Sequence, residues 1–158
     1  MSGFTSTLEI ATPRDPAEVR ELLRKNLPFV TGMSEPDPNY PPTLFTTKDA
    51  LQISVRGPIG PDLIEDTFGF RPTVTVEFEL AKNMDDPLYA EGMGNELRGL
   101  DWIIRHLDGD MVFLVNNDAP ALLRKGGEIR LDRKDRFWGE FELKQLTFPY
   151  DWEKLPEL

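Results

Sequence analysis

The chain predicts an α+β fold: a single antiparallel sheet of about six to seven strands with two main helices packed on one face. Three observations carry this reading. Strand-like segments come in groups instead of alternating one for one with helices, which argues against a parallel α/β sheet. Two segments place apolar residues at helical spacing behind an Asp-Pro start. An unbroken apolar run, Met111–Val115, follows the longer of the two and suits a central strand covered on both faces. With 158 residues and no repeat or linker, the expectation is one domain spanning residues 1–158.

Taken in order, Phe4–Ala11 alternates loosely and predicts a strand. Asp15 then offers an N-cap, Pro16 occupies the first helical position, and Glu18 completes a capping box. Val19, Leu22, Leu23 and Leu27 form the apolar stripe of that helix, which Pro28 ends. Residues 31–42, TGMSEPDPNYPP, hold four prolines and predict an irregular surface loop. Thr43–Thr47 and Leu51–Arg56 predict two strands joined by a turn at Lys48-Asp49-Ala50. In the second, Leu51, Ile53 and Val55 face one way and Gln52, Ser54 and Arg56 the other. After a Pro/Gly loop, residues 62–70 have room for one helical turn. Thr73–Leu80 alternates strictly, Val74, Val76, Phe78 and Leu80 against Thr73, Thr75, Glu77 and Glu79, the pattern of a sheet with one wet face.

Asp86-Pro87 opens the long helix. Met93, Leu97, Leu100, Ile104 and Leu107 make its stripe. Gly92, Gly94 and Gly99 each cost up to ~1 kcal/mol relative to Ala, so their presence implies close packing or a later start. Gly109 is a candidate stop. Ala121–Arg124 and Glu128–Asp132 flank Gly126-Gly127 as a hairpin. Phe137–Leu146 alternates and predicts a last strand, with the aromatic tail from Phe148 to Trp152 packing back on the body.

Composition excludes several kinds of chemistry. There is no Cys, hence no disulfide or thiolate. The single histidine, His106, cannot build a multi-His zinc site. No G-x-S-x-G elbow exists to pair with it, and neighbouring Asp101 and Arg105 look like solvated helix charges. Phosphate-binding and Ca²⁺ loops are absent. No cofactor is therefore expected. Ten Phe, three Trp and three Tyr argue for a packed core despite the acidity. A net charge of −10 disfavours nucleic acid and anionic membrane as partners and favours a basic protein. Residues 124–136, RKGGEIRLDRKDR, run against that balance with six basic and three acidic side chains, most simply a solvated hairpin with cross-strand ion pairs. No basic-then-apolar leader opens the sequence, and no apolar run approaches the ~18 residues of a membrane span, so a cytoplasmic location is expected. Trp102 lies opposite the apolar stripe of its helix. Either the aromatic tail covers it, the favoured reading, or it anchors a partner.

The second half of the chain resembles a family of small bacterial immunity proteins related to the Sit toxin-exchange systems of myxobacteria. The resemblance rests on Gly109-Asp110 before the Met111–Val115 strand, then Asn116-Asn117-Asp118, Leu122-Leu123-Arg124, the Gly126-Gly127 hairpin, Phe137-Trp138 and Pro149-Tyr150. It implies a cytoplasmic protein that binds and neutralises a cognate toxin, with no catalytic residues. From the residues themselves, a small carboxylate-dependent hydrolase and a structural or adaptor module remain alternatives. For a toxin partner expected to be basic, the contact candidates are Glu35 and Asp37 in the Pro-rich loop, Asp85 and Asp86 at the start of the long helix, and Trp102.

Overall fold

A computed structural model describes residues 4–46, 48, 50–116, 118–133 and 137–158. Among them, one sheet takes the N-terminal strand as its centre. That strand, β1 (Thr5–Ile10), pairs antiparallel with β5 (Val74–Leu80) on one side and β6 (Met111–Val115) on the other. Beyond β5 lie β4 (Leu51–Arg56), β3 (Thr43–Thr46) and β2 (Val30–Met33). Beyond β6 lie β7 (Ala119–Lys125), β8 (Glu128–Asp132) and β9 (Asp151–Glu153). Every pairing is antiparallel except β8 with β9.

The two main helices share one face, as expected. In α1 (Pro16–Asn26), the Asp15 carboxylate accepts from the Glu18 N–H at 2.8 Å and Glu18 accepts from the Asp15 N–H at 3.3 Å, closing the capping box. The long helix α3 (Asp86–His106) begins one residue earlier than its Asp-Pro signal implied, because Asp85 is the cap and accepts from the Leu88 N–H at 2.9 Å. Val19 and Leu23 of α1 join Leu97, Leu100 and Ile103 of α3 in a core with Leu8, Val76, Phe78 and Phe113 of the sheet. Gly92 is where α3 comes closest: a Cβ there would stand 2.9 Å from Leu80 Cδ2 and 3.2 Å from the Ala50 carbonyl.

Four details correct the sequence reading. The sheet has nine strands, not six or seven, among the described residues. The segment expected to be loop from residue 31 begins with β2, since Pro36, Pro38, Pro41 and Pro42 all follow its last residue, Met33. Phe137–Leu146 is not a strand. Trp138 donates its indole N–H to the Ala121 carbonyl at 2.6 Å, which fixes the chain on the core, and the next residues turn into α4 (Glu140–Leu143). Finally, α2 (Pro61–Phe68) is a full helix on the opposite face, with Ile64, Phe68 and Phe70 packed on Val112 and Leu114. Parts of three other expectations, Thr47 and Asp49 of the first turn, Asn117, and 134–136 of the basic segment, lie outside the described residues.

The basic segment, read as a solvated hairpin, is partly structural. Arg124 is buried and donates to the carbonyls of Ile104, Leu107 and Gly109 at 2.5, 2.5 and 2.8 Å, closing the C-terminus of α3. Lys125 does the same for α2, donating to the Phe68 carbonyl at 2.7 Å. Arg130 pairs with Glu128 at 2.8 Å and Asp151 at 3.2 Å. Gly109 does not cap α3 itself. It sits at φ +111° under the Ala11 carbonyl, where a Cβ would come within 1.9 Å.

Candidate partner-binding face

The alternation in β1, β4 and β5 sends every second side chain away from the helices, and the register lines these up in rows. Thr5, Glu79, Gln52 and Phe45 form one row across four strands. Thr7, Glu77, Ser54 and Thr43 form the next. Glu9, Thr75 and Arg56 form the third. On this side of the sheet α2 covers β6, and Thr7, Glu9 and Thr75 are buried beside it, while Glu77, Glu79, Gln52, Ser54 and Arg56 keep partial exposure on the half built from β1, β5, β4 and β3. Strand and pleat spacings give it about 15 Å by 15 Å.

Three carboxylates, Glu9, Glu77 and Glu79, share this face with one arginine. Arg56 sits 2.8 Å from Glu77. Glu9 is only 6% exposed and accepts a hydrogen bond from the Thr75 hydroxyl. Burial pushes its carboxyl above the usual range, while the Thr75 hydrogen bond and the Arg56 charge pull it back. A cleft of about 250 Å³ lies between Glu9, Glu77 and Arg56 on the sheet and Ile59 and Leu63 at the start of α2. Ile59 and Leu63 are 74% and 53% exposed, so an apolar rim borders an acidic floor. Among the described residues, no group of three or more His, Asp or Glu side chains could hold a metal ion.

The residues singled out from the sequence do not converge. Glu35 and Asp37 are exposed on the loop between β2 and β3, where the Asp37 carboxylate accepts from the Asn39 N–H at 2.8 Å. Asp85 is engaged as the α3 cap, and Asp86 is the exposed first residue of that helix. Trp102 is sixteen residues further along α3, about 24 Å at 1.5 Å per residue. It is half-buried and stacks on His106, ring centroids 4.5 Å apart. The aromatic tail does not close over it. A groove of about 390 Å³ remains there, walled by Leu27–Phe29 on one side and Lys144, Gln145 and Thr147 on the other. Asp101 is not a solvated charge but 5% exposed, accepting from the Thr147 N–H at 2.7 Å and from its hydroxyl at 2.8 Å.

Glu9, Glu77 and Glu79 were not named as site residues from the sequence, although Glu77 and Glu79 stood on the wet side of a clear alternation. The pattern supplied their face. It could not supply the register that puts Glu9 and Arg56 beside them, nor the helix that roofs β6.

No curated protein and no solved structure matches the chain. A family model described as SitI3-like matches residues 6–142, a span from β1 to α4 that takes in every residue of the sheet-face rows but Thr5. The chain thus belongs to the SitI3-like family of Sit immunity proteins.

Proposed function

We propose that this protein neutralises a cognate bacterial toxin by direct, non-catalytic contact in the cytoplasm of the cell it protects. The observation that carries the reading is the partly exposed acidic sheet face, with Glu77 and Glu79 in adjacent rows and an apolar rim at Ile59 and Leu63. Glu77 and Glu79 against the one Arg56 leave this face net negative, inside a chain at −10, which complements a basic toxin surface and speeds its encounter. The same charge opposes nucleic acid and anionic membrane. The face is smaller than the ~800 Å² that each partner commonly buries, so the contact extends onto neighbouring loops. Glu35 and Asp37 on the loop leading into β3, Asp85 and Asp86 at the start of α3, and Trp102 on α3 are the further contact candidates. A carboxylate-dependent hydrolase is the weaker reading: the Glu9 cleft, at about 250 Å³, is below the ~300–1,000 Å³ of typical ligand pockets.

The test is binding of the purified cognate toxin to wild-type protein and to a Glu77→Gln, Glu79→Gln variant. The expected outcome is an affinity at least about tenfold lower for the variant and a wild-type association rate that falls steeply with added salt. Unchanged affinity with salt-insensitive association sinks the sheet face as the contact.

A further inference from the structure

The groove over Trp102 has the opposite electrical character to the sheet face and lies on the other side of the molecule. Its floor is apolar: Leu27, Phe29 and the Trp102 ring. Around it stand three cations, Arg98, Arg105 and Lys144. The single carboxylate in the lining, Asp101, is already committed to the Thr147 N–H and hydroxyl, and its contact with Arg105 is a loose 3.5 Å. Arg98 is held in place by hydrogen bonds to Asn95 at 2.5 Å and Gln145 at 3.0 Å, both uncharged acceptors that leave its charge uncompensated. Lys144 is 70% exposed and its ion pair with Glu140 spans 3.5 Å between two exposed side chains, a contact of little energetic weight. The lining therefore sums to about +2, in a chain whose net charge is −10.

We propose that this groove is a docking site for an acidic segment of a protein partner, seating an apolar side chain on Trp102 and Phe29 while its carboxylates meet Arg98, Arg105 and Lys144. The charge pattern selects the occupant. A basic segment meets three like charges here. A nucleic acid or an anionic membrane meets the repulsive field of the whole acidic domain beyond a patch three residues wide. A short acidic peptide needs only the patch. Arginine forks match carboxylates in pairs, and an indole beside a second aromatic ring is the type of floor on which interface energy concentrates. The groove, at about 390 Å³, holds one large side chain with its flanking backbone. This site is independent of the acidic sheet face, and its occupant carries the opposite charge to the toxin surface proposed there.

The experiment is selection of a random twelve-residue phage-displayed peptide library on the intact protein, followed by affinity measurement with one synthesised winner. Enriched sequences should carry an apolar residue, aromatic above all, flanked by Asp or Glu. The winner should lose at least about tenfold in affinity against Trp102→Ala and against an Arg105→Glu, Lys144→Glu variant. The latter changes only exposed side chains, so it keeps the fold if Trp102→Ala does not. No enrichment, enrichment of Lys- or Arg-rich peptides, retained binding by both variants, or displacement of the peptide by inorganic phosphate at equal potency would each overturn the proposal. Toxin neutralisation by the Arg105→Glu, Lys144→Glu variant, expected to be intact, separates this result from that of the sheet face.

Discussion

Glu96 is the residue most at odds with its surroundings. It lies on α3 with no exposed surface, and neither carboxylate oxygen has a hydrogen-bond partner. Burial alone pushes its pKa from 4.5 to about 8, so it is folded into the core as the neutral acid. The folded value exceeds the unfolded one. Stability is therefore unaffected below pH 4.5 and declines as pH rises toward 8, at about 1.4 kcal/mol per unit from this group. Glu96→Met should stabilise the protein by about 3 kcal/mol at pH 7 and flatten that decline, measured by urea unfolding from pH 5 to 8 against wild type. Equal slopes for the two proteins would refute a neutral, buried Glu96. Such a residue is hidden in the sequence, as are Asp101 and Arg124. All three look like ordinary helix or hairpin charges, because the partner or the enclosure that defines each lies far along the chain, 46 residues away for Asp101 and Thr147.

At the scale of single elements, local chemistry was legible and distant chemistry was not. The Asp-Pro start of α1 with its capping box, that of α3 to within one residue, the alternating β4 and β5 and the Gly-Gly hairpin follow from residues within a few positions of one another. The strand misassigned to Phe137–Leu146 had the right alternation, but a tryptophan drawn to Ala121 overrode it. The ends of α3 illustrate the two cases. Asp85 caps the N-terminus locally, and Asp85→Ala should cost about 1 kcal/mol. Arg124 closes the C-terminus from a different strand, and Arg124→Met strands three carbonyls at once, so a loss of about 3 kcal/mol or more is expected. Thermal unfolding of the two variants checks the order: a milder effect at Arg124 than at Asp85 would mean that water replaces the guanidinium without penalty.

At the scale of the whole molecule, fold class and helix placement on one face were readable from grouping and periodicity, whereas the strand order was not. The β8 edge owes its cover to a three-residue parallel strand, β9, tied down by Arg130–Asp151 and by the Leu155 N–H donating to buried Asp132 at 2.8 Å. Removing residues 151–158 should open that edge and give concentration-dependent association, followed by light scattering, where the full chain stays monodisperse under the same conditions. The central position of β1 has a consequence for the order of events in synthesis. Of the nine strands of this sheet, the one that is made before the others is the one they are built around, yet its partners are encoded late: Ser6 pairs with Phe78 and with Val115. Strand β1 must wait for β5 on one side, and its other side stays open until β6 has been made more than a hundred residues further on. The two halves of the sheet can form their local hairpins early, but they join only when β1 closes the seam between them. That makes long-range closure, not local structure, the slow step in acquiring the native state.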